Sequence, residues 1–166
     1  MKEERLKILK TMHEATNRMD LNMFAAAVNL TPNQAITEMQ ELAKEGFLRK
    51  VGNGFGLTAK GKNALKVLVQ GSSEMAFNFY IDVDKPIGLS AQSLGEFYRL
   101  VKELCSDVLD FHLYRGDFEN WLRDVVNDAE LENAFSVLKA QNLNGEELRK
   151  ALLKVMDEKY SVSELL

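Results

Sequence analysis

His112, Arg115 and Asp117 lie within six residues of one another, and Trp121 follows four residues later. An imidazole, a guanidinium and a carboxylate at that spacing predict a small ionic network beside an indole. Two readings stay open. Arg115 could clamp an anion, which makes the cluster a pocket for an anionic or aromatic small-molecule effector. Alternatively Asp117 caps a helix, Arg115 pairs with it and Trp121 is core, so that Arg115→Ala destabilises the fold. A second set of capable residues comes earlier: Asn33, Ile36, Thr37, Gln40 and Lys44, then Arg49, Lys50, Asn53, Lys60 and Lys62. Asn and Gln pair bidentately with adenine, Ile and the Thr methyl suit a thymine methyl, and Lys and Arg hold phosphates.

Catalytic spacings are missing. There is no Gly-rich phosphate loop, His-x-x-Glu-His arrangement or nucleophile elbow, so an enzyme is not expected, and one would rest on His112 alone. Cys105 is the single cysteine, which forbids an intrachain disulfide or a cysteine zinc cluster. It is expected to be a buried, inert thiol. His13, the other histidine, is expected on a helix surface. No metal and no cofactor are expected.

The charge of −4 over 166 residues is unevenly spread. Through Gln70 the chain carries eleven Lys and Arg against seven Asp and Glu, whereas the rest carries ten against eighteen. That asymmetry directs only the first part towards a polyanion. With 46% apolar residues a packed core is possible. No apolar run approaches the ~18 residues that span a bilayer, and Met1 to Arg5 leads into amphipathic sequence rather than a secretory signal. A cytoplasmic protein without membrane contact is expected.

The elements that must position these residues follow from periodicity and capping. Leu6, Leu9 and Met12, with Ile8 alongside, predict a helix from Glu3 to about Ala15. A shorter helix covers Leu21 to Val28 and ends at Asn29. Thr31, Pro32 and Gln34 form a capping box with proline at the first helical position. The helix they start buries Ala35, Met39 and Leu42 and stops at Gly46, giving a helix-turn-helix. Phe47 to Val51 and Phe55 to Leu57 read as strands around the tight turn Gly52-Asn53-Gly54. Thr58 caps a further helix to about Val69 that carries Leu65, Leu68 and Val69.

Leu42-Ala43-Lys44-Glu45-Gly46-Phe47-Leu48, followed by Leu57-Thr58-Ala59-Lys60-Gly61, resembles winged-helix regulators of the MarR and PadR kind. The resemblance covers roughly the first 70 residues. It implies a winged helix-turn-helix that binds double-stranded DNA, commonly as a homodimer, with Asn33, Ile36, Thr37, Gln40 and Lys44 on the reading face. Winged helices also serve as protein-protein modules, so an adaptor in a larger assembly is the alternative. Glu38, Glu41 and Glu45 on the same helix and the uncharged wing tip suit that alternative.

Beyond a hinge at Gly71-Ser72-Ser73, Ala76 to Val83 alternates as a half-buried strand with Phe77, Phe79, Ile81 and Val83 inward. Asp84 to Gly88 reads as a loop, which leaves the strand without a partner and, with the apolar tail Val162, Leu165 and Leu166, points to a dimer. Ser93 with Glu96 caps a helix burying Leu94, Phe97, Val101 and Leu104. Ser106 starts a segment from Val108 to Tyr114 that fits either a helix or a strand. Asp117 caps a helix with Phe118, Trp121, Leu122 and Val125. Leu131, Ala134, Phe135 and Leu138 mark the next, and Leu148, Leu152, Val155 and Met156 the last, capped by Asn144 with Glu147. The motifs around Ser93 and His112 resemble a poorly characterised archaeal domain family over residues 75 to 160, which implies an archaeal source and no particular chemistry. The expected fold is mostly α with a small β component, α+β. Residues 1–70 form the winged helix, and residues 71–166 a helical domain with one or two strands for dimerisation or for sensing an effector or protein partner.

Overall fold

A computed structural model describes residues 1–15 and 18–166. The fold is α+β, with helices throughout and two separate two-stranded antiparallel sheets. The chain divides into two compact units, Met1–Lys66 and Val67–Leu166.

The first unit contains α1 (Glu3–Glu14), α2 (Leu21–Ala27), α3 (Pro32–Lys44), β1 (Leu48–Val51), β2 (Gly54–Leu57) and the start of α4 (Ala59–Leu68). Its turns are set by local chemistry. Asp20 caps α2 by accepting from the Met23 N–H. Asn29 then takes φ 59°, and the Asn29 and Leu30 N–H groups return to the Ala26 and Ala25 carbonyls, the paired bonds of a Schellman ending. The Thr31–Gln34 capping box is complete, with Pro32 opening α3. At the far end Gly46 (φ 85°) and Phe47 repeat the Schellman pattern onto Ala43 and Leu42. The chain therefore leaves α3 directly into β1. Leu48 pairs with Leu57 and Val51 with Gly54, closing a two-residue loop whose Gly52 has positive φ. Ile8, Leu9, Phe24, Ala35, Met39 and Leu42 form the core between the helices, joined by Phe47 and Leu48.

The second unit holds a 3-10 turn (Ser73–Met75), β3 (Phe77–Asp82), β4 (Lys85–Ala91), α5 (Leu94–Glu103), α6 (Ser106–Arg115), α7 (Asp117–Trp121), a π turn (Leu122–Val126), α8 (Ala129–Ala140), α9 (Gly145–Tyr160) and α10 (Val162–Leu165). Several expectations need correction. The strand at Phe77–Asp82 is paired within the chain, because the stretch expected to be a loop is β4. Pro86 and Gly88 mimic loop chemistry, yet both are tolerated on an edge strand. Ile81 and Val83 do not face inward with Phe77 and Phe79. They are 48% and 60% exposed, because two register shifts after Asn78 break the alternation. The 106–115 stretch is helix, burying Val108, Leu109, His112 and Leu113 at helical spacing. Its N-cap is Cys105, and that thiol is exposed rather than buried. Val162 and Leu165 are buried inside their own unit.

Packing in this unit centres on aromatic rings. Phe77 meets Phe79, Phe97 and Trp121 edge-on, while Phe97 stacks on Trp121 at 5.2 Å. Phe118 and Phe135 extend the cluster across α7 and α8. Asp128 ties α8 to α9, capping α8 through the Leu131 N–H and accepting from Lys159 and Tyr160 of α9. Burial alone would raise its carboxyl, but those partners hold it below the usual range. No helix among the described residues is long and apolar enough to cross a membrane.

Candidate nucleic-acid interface and the His112 cluster

On α3 the buried residues Ala35, Met39 and Leu42 define one side, and Asn33, Thr37, Gln40 and Lys44 form an exposed stripe on the other. The separation follows from 3.6 residues per turn, since 33, 37, 40 and 44 advance by fours and threes along one line. Ile36 is not part of that line. It is half-buried and, with Asn53 of the hairpin loop, lines a cavity of about 750 Å³ beside Phe24, Met39 and Phe55. Thr37 Oγ1 donates to the Asn33 carbonyl at 3.0 Å.

The charges around α3 are sorted in a way that sequence spacing does not show. Arg5 of α1 donates to Glu38 at 2.9 Å and to Glu45, the α3 C-cap, at 2.7 Å, leaving Glu41 as the remaining carboxylate of that segment. Hydrogen bonds to those carboxylates, Glu45 first, raise the Arg5 pKa. Glu41 is 2.5 Å from Lys44, whose hydrogen bond keeps that carboxyl below its ordinary value. Lys60 is also engaged, donating to the Glu45 carbonyl at 3.0 Å and lying over the Phe47 ring. Arg49 and Lys50 on β1 and Lys62 on α4 are exposed, and none has an ion-pair partner among the described residues. Of the ten residues expected at the interface, four make the stripe and three are unpaired cations. Lys60, Ile36 and Asn53 have local roles.

The second cluster does come together, with different roles from those expected. His112 is 2% exposed. Its Nε2 accepts from the Tyr80 N–H at 2.8 Å, which requires the proton on Nδ1, and Nδ1 lies 2.8 Å from Asp117 Oδ2. Tyr80 sits between the two register shifts of β3, and the imidazole supplies its N–H with an acceptor. Burial lowers the His112 pKa, Asp117 pulling the other way and Arg115 adding to the lowering. Asp117 is not a cap: Gly116 (φ 80°) occupies that position, and Asp117 opens α7 with its carboxylate turned to His112. Arg115 is half-exposed, 3.6 Å from Asp117 and over the Phe111 ring. Trp121 is core, and its indole N–H donates to the Met75 carbonyl at 2.9 Å. The cluster borders a cleft of about 420 Å³ that Asn78, Asp84 and Phe111 also line. Both imidazole nitrogens are committed, so His112 has no lone pair to offer a substrate in this arrangement. Asn144 likewise makes no side-chain cap, and Asp110 instead accepts from the Gly145 N–H.

The model of a family described as of unknown function, DUF5752, matches residues 73–166, more than half of the chain. The chain belongs to that family. The DUF5752 match starts in the 3-10 turn and takes in the β3–β4 hairpin, the His112 cluster and every helix from α5 to α10. No curated protein and no solved structure matches the chain. No group of three or more His, Cys, Asp or Glu side chains among the described residues is placed to hold a metal ion.

Proposed function

We propose that the protein is a cytoplasmic transcriptional regulator whose first unit is a winged helix-turn-helix that binds double-stranded DNA. In that reading α3 enters the major groove, the β1–β2 hairpin is the wing, and the DUF5752 unit dimerises the protein or senses a partner. The observation that carries the proposal is the α3 stripe. Amide and hydroxyl side chains face solvent opposite a buried apolar side, and the flanking carboxylates are drawn off by Arg5 and Lys44. Arg49, Lys50 and Lys62 supply the unpaired cations for phosphate contacts.

The competing reading, an adaptor that contacts another protein, draws support from the neutralised Lys44 and the engaged Lys60. The two readings separate in a binding experiment with the full-length chain and random-sequence duplex. DNA binding whose affinity falls steeply between about 50 and 200 mM salt supports the regulator. Absence of binding at the lower salt supports the adaptor. The homodimer rests on the need to read two half-sites, because the strand and the tail that also suggested it are satisfied within the chain.

A further inference from the structure

We infer that α3 reads A·T base pairs in the major groove through Asn33 and Gln40, an inference that rests on the DNA-binding role proposed above. Asn33 and Gln40 are exposed, and among the described residues neither carboxamide has a hydrogen-bond partner. Each therefore keeps a donor and an acceptor side by side. Adenine presents an N6 donor beside an N7 acceptor and matches that pair bidentately. Guanine presents two acceptors, O6 and N7, which an amide cannot satisfy together. Thr37 sits between them on the stripe with its hydroxyl bonded to the Asn33 carbonyl, so its methyl is the group left for a thymine methyl.

Reading guanine calls for a guanidinium or ammonium. The α3 sequence contains no arginine, and its sole cation, Lys44, is 2.5 Å from Glu41. Arg49 and Lys50 lie on β1, off the helix. At about 1.5 Å per residue, Asn33 and Gln40 are about 10 Å apart along the helix axis. The two carboxamides thus address two separate A·T positions of one half-site.

The test is selection of bound duplexes from a random library by the full-length protein at about 150 mM salt. The expected product is a motif with two such A·T positions. Asn33→Ala flattens the preference at one and Gln40→Ala at the other, each by ~5- to 150-fold. Placing 7-deazaadenine, which lacks N7 but pairs normally, at one position weakens the parent and leaves the matching alanine variant unchanged. A preference for G·C at both positions, or indifference of the parent to 7-deazaadenine, overturns the inference while DNA binding stands. Failure to retain any duplex overturns both.

Discussion

His112 spans two elements: its Nε2 holds the Tyr80 N–H of β3 and its Nδ1–H is held by Asp117 of α7. The cost of breaking the cluster therefore falls on Asp117, not on Arg115. Asp117→Ala leaves a buried N–H unpaired and is expected to cost about 1–3 kcal/mol, measured by urea denaturation. Asp117→Asn recovers most of it through its remaining oxygen. Arg115, half-exposed at 3.6 Å, is a surface pair whose removal costs about 0–1 kcal/mol, less than the destabilisation its sequence position suggested. If Arg115→Ala proves costlier than Asp117→Ala, this assignment of roles is wrong. The imidazole also imposes a pH dependence. Its folded pKa is depressed below the ordinary 6.5, chiefly by burial. Between the two values the unfolded chain binds a proton that the folded chain refuses. Stability from this group is therefore complete above about pH 6.5 and is lost as pH falls through the window below it. Melting temperatures between pH 7.5 and 5 should drop for the parent. In His112→Gln that segment of the curve should be flat, from a lower starting point at pH 7.5.

Elements were legible wherever their ends are decided by neighbouring residues. Asn29, Thr31, Gln34, Gly46 and Ser93 each bond to groups a few positions away, Pro32 opens α3 with its fixed φ, and the helices start and stop as their types dictate. The Leu-Thr-x-x-Gly stretch has a physical reason as well. Thr58 Oγ1 accepts from the Gly61 N–H and donates back to the Gly46 and Phe47 carbonyls in the turn between α3 and β1, while a Cβ on Gly61 would collide with the Phe47 carbonyl oxygen. Gly61→Ala is expected to destabilise the protein by about 1–3 kcal/mol or more, through overpacking against backbone that cannot yield. Gly54→Ala, whose nearest neighbour would be Val51 O at 3.8 Å, should change little. Circular dichroism of both variants during denaturation makes the comparison, and equal costs would remove the packing explanation. What sequence spacing could not show is pairing across long separations. β4 carries loop-forming Pro86 and Gly88 and almost no buried face, so nothing local marks it as a strand. Tyr80 and His112 are 32 residues apart, and Arg5 and Glu45 are 40 apart, so neither pairing leaves a local signal.

For the whole molecule, the polar stripe and the unpaired cations lie in the first unit, whereas the family match lies in the second. A regulator that reads two half-sites is expected to be a dimer on DNA. The protein share of the complex mass from light scattering should be twice the 18.8 kDa chain mass when DNA is bound, and a single copy per duplex at saturation would count against it. The central claim is that the first unit binds DNA through phosphate-directed cations on the wing and an amide-bearing helix. The most direct test compares the salt dependence of duplex binding for the full-length parent and for the Arg49→Ala, Lys50→Ala double variant. The parent's logarithmic slope should be clearly negative. In the variant it should flatten by about one unit for each phosphate no longer neutralised, with binding weakened to all sequences alike. Identical slopes and affinities for the two proteins, or no binding by the parent at about 50 mM salt, would contradict the account.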